Sequence, residues 1–356
     1  MTAWKFVVAT AAGAPLGELQ AAKSKRITWR RDAPADASWS MFGTDPGVAD
    51  VQELLSDLLV YRDTDLVFRG RVGATTDDLD GTEHSLQVAA VDYRGLLDRR
   101  TVHGTLTFTA DSKSSIGWDL IAHTQALTGG NLGITRGVGD LAGTHDREYP
   151  DRKKIGEAIT ELGRSENGFE WEISPQLRFN VWAQRGVVRD FVAEYGNTVT
   201  RLNRVVDPAE YANVVRSSGA DTTTPHNAVS TDIAVRPEGR FETVVGDQDL
   251  TVQASVNELA AADLAVAQVI QPSYKVTLIP DIWHPELVWV GDTAHIVVRS
   301  GRLNVDTVDR VEEITVTIGD DGSETVDLTF GRTSRDARAK VVRGAVGGRL
   351  ERLERR

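Results

Sequence analysis

The chain has 356 residues, of which 40% are hydrophobic and 26% are charged, a composition that supports two to four domains with buried cores. It contains no cysteine, which excludes thiolate catalysis, thiolate metal ligands and disulfide bonds. No run approaches the roughly 18 apolar residues of a membrane helix, and the first residues lack the basic region of a signal peptide. Nothing in the sequence therefore predicts secretion or membrane insertion.

The formal net charge of −12 is unevenly distributed along the chain. Residues 332–356 hold eight Arg and one Lys against three acidic residues, so this tail carries +6 and the remaining body carries −18. An acidic body is expected to repel nucleic acid. In the tail, Val342, Val346, Leu350 and Leu353 share one helical face, which favours an amphipathic helix that docks on a partner. Three glycines in the same segment favour a frayed, solvated end, and both interpretations stay open.

Residues 1–100 are predicted to form a small β-barrel, because short segments rich in β-branched and aromatic residues alternate with turn signals. The clearest hairpin joins residues 58–62 to residues 66–72 through Asp63-Thr64-Asp65, and residues 85–93 supply a third strand. Gly70 interrupts the second strand and predicts a bulge or a sharp barrel corner. Further strands are expected at residues 4–10, 25–30 and 38–42.

Residues 101–197 are predicted to form an α+β domain. Ser114 or Ser115 is expected to cap a helix that is stopped by the glycine pair at residues 129–130. A second helix is expected after Pro150 and ends at Gly163. Two alternating segments, residues 169–173 and 177–183, then predict a hairpin.

A second, discontinuous β-barrel is predicted from residues 198–250 and 286–332. Its clearest element is a hairpin of residues 314–318 and 326–330, which alternate on either side of the turn at residues 319–322. A capping box from Ser255 to Glu258 predicts a helix over residues 256–270. We therefore assign residues 251–285 to a helix-containing insertion and residues 333–356 to a basic C-terminal helix or tail.

Two loops superficially suggest ligand binding. The acidic residues 77–83 lack the ligand spacing of a calcium loop, so we predict a solvated hairpin turn there. The glycine-rich residues 137–143 are one residue off a dinucleotide fingerprint and no βαβ unit follows, so we predict a flexible loop.

Catalytic patterns are equally sparse. Glu170 and Glu172 lie about 7 Å apart on one strand face and suggest a glycosidase pair, but surface charge is the preferred interpretation. The seven histidines never pair at metal-binding spacing. Trp283 and Trp289 suggest an exposed carbohydrate platform, although aromatic residues beside a strand more often form core. The sequence thus predicts no enzyme, no catalytic, cofactor-binding or metal-binding residue, and no cofactor.

Four segments stand out in order along the chain: QVAAVDYRGLLDRR at residues 87–100, SSIGWDLIAHTQALTGGNLGI at 114–134, NRVVDPAEYANVVRSSG at 203–219, and residues 288–332. Together they resemble the tail-hub proteins of long-tailed phages, in particular those of actinobacterial phages. Their order and spacing carry the resemblance, which covers most of residues 1–335.

The resemblance implies a mainly β fold with α+β insertions, in which two barrel hub domains accompany two mixed domains. It implies a homotrimer whose barrels form a pseudo-sixfold ring at the virion tail tip, joining the sixfold tail tube to a threefold tip. The implied partners are the distal tail protein ring, the C-terminus of the tape-measure protein and other minor tail proteins. The genome would pass through without being specifically bound. The alternatives are a carbohydrate-binding tail adhesin and a tail-associated cell-wall hydrolase.

Overall fold

The computed structural model describes residues 3–139, 141, 143–164, 168–209, 211–219, 226–229, 233–247, 253–270 and 272–331. Contacts divide the chain into two compact units. Unit 1 holds the described residues of Met1–Gly163, Phe169–Asn203 and Lys275–Phe330, and unit 2 holds those of Arg164–Gly168, Arg204–Tyr274 and Gly331–Arg356. The predicted C-terminal helix or tail at residues 333–356 lies outside the described residues.

The N-terminal part of unit 1 is built of antiparallel strands whose apolar side chains are buried. Among the core residues Val8, Leu58 and Val60 are fully buried, and Trp39 is nearly so. The strands lie in the order β3-β4-β7-β6-β5-β1-β2 within the sheet. Their bounds are β1 (Trp4–Thr10), β2 (Pro15–Glu18), β3 (Lys23–Arg30), β4 (Asp36–Phe42), β5 (Ser56–Arg62), β6 (Asp65–Asp80) and β7 (Glu83–Asp92).

Gly70 has a different role from the predicted one. It stays in register with both neighbouring strands, opposite Leu58 and Asp92, and the shift in the β6–β7 ladder lies between Val72 and Thr75. A Cβ atom at Gly70 would lie 2.6 Å from the Phe68 ring and 2.7 Å from a backbone oxygen of β7. The glycine is therefore required by close packing rather than by a bulge.

The middle of the chain combines helices with short strands around a separate apolar cluster. Ile116, Leu120 and Ile159 are fully buried in it, beside Phe179. The N-cap of the helix Lys113–Gln125 is Ser112, whose side chain accepts a hydrogen bond from the N–H of Ser115. This cap lies earlier in the chain than the predicted Ser114 or Ser115. The elements are α1 (Tyr93–Leu97), β8 (Leu106–Asp111), α2 (Lys113–Gln125), β9 (Thr135–Arg136), β10 (His145–Tyr149), α3 (Ile155–Arg164), β11 (Glu170–Ile173) and β12 (Arg178–Trp182).

The remaining described residues supply nine strands and one long helix. The predicted helix at 256–270 is present but begins and ends three residues earlier. The elements are β13 (Val188–Glu194), β14 (Val199–Val205), β15 (Val214–Gly219), β16 (His226–Val229), β17 (Glu242–Asp247), α4 (Gln253–Ala267), β18 (Ser273–Leu278), β19 (Thr293–Ser300), β20 (Leu303–Ile318) and β21 (Glu324–Phe330).

Strand β20 joins the early and late strands of unit 1. Its first half pairs with β19, and its second half pairs with β21 on one side and with β3 on the other. Thirteen strands of the described chain are thereby hydrogen-bonded into one sheet. The hairpin predicted at residues 314–330 is present as β20 and β21. The fold is mainly β, as predicted.

Unit 2 contains its own small sheet, in which β15 pairs with β16 antiparallel and with β17 parallel. Helix α4 packs against this sheet, and the hydroxyl of Ser217 donates to the carbonyl of Val256. Val215, Val245 and Ala260 are buried between them. This grouping differs from the predicted one, because α4 packs on β15 to β17, whereas β20 from residues 286–332 pairs with the N-terminal strand β3.

Candidate functional site

A charged cluster in unit 1 is centred on Glu170, the first residue of β11. Its two carboxylate oxygens each accept a hydrogen bond of 2.8 Å from the guanidinium of Arg310. Arg31 donates to the same carboxylate at 2.5 Å, and the backbone N–H of Arg185 donates at 2.9 Å. The Glu170 side chain is only 15% exposed. The prediction of surface charge at Glu170 is wrong, because Arg310 of β20 and Arg31, just after β3, cover the carboxylate.

The same cluster extends to neighbouring segments. Arg31, which follows β3, also pairs with Glu312 of β20 at 2.7 Å. Arg310 donates to the carbonyls of Arg185 and Gly291, at 2.6 Å and 3.0 Å. The cluster thus ties the end of β3, β11, the Arg185 loop and β20 together.

The electrostatics of Glu170 are dominated by these arginines. Burial by itself would raise the pKa of Glu170, but the hydrogen bond from Arg310 and the charges of Arg31 and Arg310 lower it to about 2. Glu172 lies apart from this centre and pairs with the guanidinium of Arg185. Both carboxylates are held by cations, so the geometry favours structural ion pairs over acid–base catalysis.

Unit 1 also contains a cluster of tryptophans. The Trp283 ring stacks on Trp4 at 6.4 Å and on Trp289 at 6.0 Å, and Trp29 is 6.0 Å away. The guanidinium of Arg62 lies 5.2 Å from the centre of the Trp283 ring. Trp283 is 1% exposed, so the preferred prediction of a core role is confirmed for it. It does not contribute to a surface platform for sugars.

The loops singled out in the sequence are held by local hydrogen bonds. Residues 77–83 form the end of the β6–β7 hairpin, where Asp77 contacts His84 at 2.6 Å. The N–H groups of Gly137 and Val138 donate hydrogen bonds to residues of β12. This described part of the predicted flexible loop is therefore held alongside a strand. Asp140 and Ala142 of that loop lie outside the described residues.

The described residues contain no group of three or more His, Asp and Glu side chains arranged to hold a metal ion. Among these residues, histidines pair with single carboxylates: His84 with Asp77, His284 with Glu286, and His295 with Asp306. Across the same part of the chain, no helix is long and apolar enough to cross a membrane.

The main sheet has open strand edges among the described residues. Strand β13 pairs with β19 alone, and β2 and β14 end the main path of the sheet. Val188 at the start of β13 is 78% exposed, and Leu16 on β2 is 48% exposed. Unpaired N–H and C=O groups along such edges are a template for strand pairing with another chain. Sequence reasoning missed these edges because they depend on which strands pair.

No protein-family model and no characterised protein matches this sequence. Solved structures do match its fold over nearly the whole chain. A tail protein from Neisseria meningitidis MC58 superposes with a TM-score of 0.65 at 10% identity, over 96% of this chain and 99% of that one.

Two prophage proteins are also similar. A tail protein of prophage MuSo2 from Shewanella oneidensis has a TM-score of 0.69 at 11% identity, covering 95% of this chain and 99% of its own. A prophage tail protein from Listeria monocytogenes EGD-e has a TM-score of 0.58 at 12% identity, covering 99% of this chain and 100% of its own. The chain therefore has the fold of these tail proteins.

Proposed function

We propose that the chain is a structural component of a phage virion tail. The observation that carries this proposal is the similarity of fold to tail proteins from three bacterial species, which spans 95–99% of the chain. Similarity over the whole length means that both units, rather than one common module, resemble proteins of this class. The ion-paired state of Glu170 and Glu172 is consistent with a role that needs no catalysis.

Within the tail, we place the protein at the tip as a homotrimeric hub. Each subunit would contribute two groups of strands to a pseudo-sixfold ring that joins the tail tube and its distal ring to a threefold tip. The open edges of β2, β13 and β14 support this arrangement, because edge strands gain hydrogen bonds when neighbouring subunits pair with them. Other minor tail proteins and the C-terminus of the tape-measure protein are the further proposed partners.

Charge supports a passive role toward the genome. The body of the chain, residues 1–331, carries a formal charge of −18. A wall without excess positive charge does not bind duplex DNA tightly, so DNA is free to slide through a central channel. Specific DNA recognition is not part of the proposed role.

The test is the symmetry and location of the protein in assembled particles. Electron microscopy of tails, with the full chain labelled, is expected to show a ring of three copies at the tip. A single copy at the tip, or a twofold assembly, would contradict the hub. If the protein were found in the tail with a symmetry other than threefold, the proposed structural role would stand and only the proposed trimer would be contradicted.

Two assays address the alternatives. A cell-wall hydrolase would clear a suspension of purified wall, and we expect no clearing by the full chain. A carbohydrate-binding adhesin would bind glycans as a monomer. The burial of Trp283 removes one half of the aromatic platform that suggested this second function.

A further inference from the structure

A cavity of about 90 Å³ lies in unit 1 beside the Glu170 cluster. Four arginines line it, together with Asp92, Glu172 and aromatic side chains that include Trp29 and Phe68. Three of the arginines pair with carboxylates: Arg30 with Glu313 at 3.0 Å, Arg69 with Asp57 at 2.9 Å, and Arg185 with Glu172.

The fourth arginine, Arg94 of α1, has no such partner. Its Nη1 donates to the backbone carbonyls of Arg31 at 3.2 Å and Trp171 at 3.0 Å, and its guanidinium lies 4.3 Å from the centre of the Trp171 ring. Its Nε and Nη2 have no hydrogen-bond partner, and its guanidinium no ion-pair partner, among the described residues. The residue is only 7% exposed and lines the cavity.

The adjacent carboxylate does not neutralise Arg94 directly. Asp92 accepts hydrogen bonds from the N–H groups of Gly95 at 3.0 Å and Ala35 at 2.9 Å, as the N-cap of α1. Burying a cation that makes no direct ion pair is costly, because the two carbonyl hydrogen bonds of Nη1 and the Trp171 ring replace only part of its hydration. Desolvation accordingly lowers the pKa of Arg94.

The unfilled edge of Arg94 defines what would fit. A guanidinium presents parallel N–H donors that match the two oxygens of a carboxylate or phosphate. Cavities for drug-sized ligands enclose roughly 300–1,000 Å³, so a space of about 90 Å³ suits a single small anion instead.

We propose that this cavity binds a small oxyanion through the free edge of the Arg94 guanidinium. The rings of Trp29 and Phe68 in the wall lower the local polarity, which strengthens the interaction. Inorganic phosphate and a carboxylate, either free or on a side chain of a neighbouring tail protein, share the required chemistry. This site is independent of the proposed hub function.

The test is calorimetric titration of the full chain at pH 7 with sodium phosphate, with sodium acetate and, as a control for ionic strength, with sodium chloride. We expect saturable binding of phosphate or acetate beyond the effect of chloride. Stronger binding of phosphate would identify a free inorganic anion, and stronger binding of acetate would identify a carboxylate. The basic tail is present in every variant, so differences between variants report the cavity.

Two variants with opposite expected effects on anion binding locate the site. Arg94→Met is expected to weaken binding at least about tenfold, since a charge-assisted hydrogen bond contributes about 1.5–3 kcal/mol. Glu172→Gln removes a negative charge from the cavity wall and releases the Arg185 guanidinium that this carboxylate holds, so the variant is expected to bind the anion in the cavity several-fold more tightly. Arg99→Met, an exposed arginine just after α1, is the matched control and is expected to bind like wild type.

The proposal is overturned if neither anion binds more than chloride does, or if Arg94→Met binds as the wild type does. Should Arg94→Met fail to fold, the titration of Glu172→Gln decides the question. Unchanged or weaker binding by that folded variant would also overturn the proposal.

Discussion

The carboxylate of Glu170 and the guanidinium of Arg310 form a bidentate pair, with two hydrogen bonds of 2.8 Å across a sequence separation of 140 residues. Arg310 belongs to β20, and Glu170 begins β11 in the middle of the chain. The pair is mostly buried, with side chains 20% and 15% exposed. It therefore holds two distant parts of unit 1 in one geometry.

Replacing this carboxylate should destabilise the protein strongly. Glu170→Gln removes the negative charge and leaves Arg31 and Arg310 buried near one another without it. We expect the free energy of unfolding in urea at pH 7 to fall by about 3–5 kcal/mol. Glu161→Gln is the control, because Glu161 is 62% exposed and pairs only on the surface with Lys153; its loss should cost less than about 1 kcal/mol. Equal effects of the two substitutions would contradict a central role for Glu170.

The pKa of Glu170 also predicts an acid-sensitive component of stability. The value of about 2 in the folded state lies below the ordinary 4.5, so the folded protein holds this proton less tightly than the unfolded chain. The stabilisation is complete above pH 4.5 and is lost as the pH falls toward 2, by about 3 kcal/mol in total. Urea unfolding between pH 4.5 and 2 should show this decrease in the free energy of unfolding for the wild type. The Glu170→Gln variant should lack the part of the decrease that Glu170 contributes. A parallel pH profile for both proteins would refute it.

Asp92 should act in the opposite direction. Burial raises the pKa of Asp92 to about 6, against the hydrogen bonds from Ala35 and Gly95, while its ordinary value is 3.8. The folded state therefore takes up the proton first, and stability gains from this group as the pH falls from 6 to 4. Asp92→Asn keeps an oxygen to cap α1 but cannot titrate. The free energy of unfolding of Asp92→Asn relative to wild type should be highest above pH 6 and should fall toward pH 4. A constant difference in the free energy of unfolding over that range would show that Asp92 has no raised pKa.

Close packing at Gly70 gives a prediction for a single methyl group. Gly70→Ala places a Cβ 2.6 Å from the Phe68 ring and 2.7 Å from the carbonyl oxygen of Val91, which should destabilise the protein by about 1–3 kcal/mol. Gly73→Ala in the same strand meets nothing closer than 3.7 Å and is expected to be nearly neutral. Thermal unfolding of both variants provides the comparison. A neutral Gly70→Ala would mean that β6 and β7 can separate without cost.

The basic tail leads to a prediction about assembly. Deleting residues 333–356 is expected to remove salt-sensitive binding to an acidic tail partner while the trimer persists, since charge pairs on exposed surfaces weaken as salt screens them. Co-purification from tail extracts at low and high salt measures the partner, and native mass measures the trimer. Loss of the trimer on deletion, or tight salt-dependent binding of duplex DNA by the intact chain, would assign the tail a different role.

Local signals account for what the sequence predicted well. The β20–β21 hairpin follows from alternation on both sides of a polar turn that includes Gly319 and Gly322, and the turn residues 63–65 likewise mark the β5–β6 hairpin. Each depends on neighbours within a few residues, which is the range over which turn chemistry and periodicity operate.

Long-range pairing accounts for what the sequence did not reveal. Glu170 alternates with Trp171 as an outward residue of an exposed hairpin would, yet its partners Arg31 and Arg310 lie 139 and 140 residues away. No pattern around residue 170 indicates that they cover it. The grouping of β15 to β17 with α4 was missed for the same reason, because strand spacing alone does not specify which apolar face covers them.

The long strand β20, whose ladder with β21 shifts register between Val311 and Glu313, has a mechanical consequence. At roughly 3.3 Å per residue, its sixteen residues form a rod about 50 Å long, and a load at one end travels through covalent bonds to the other. A pull along β20 would load the six residue pairs between β20 and β3 at the same time, because both strands lie parallel to the force. Only a pull across the strands would break these pairs one after another. The late strands are thereby braced against the early ones, and torque applied to one group turns the other with it.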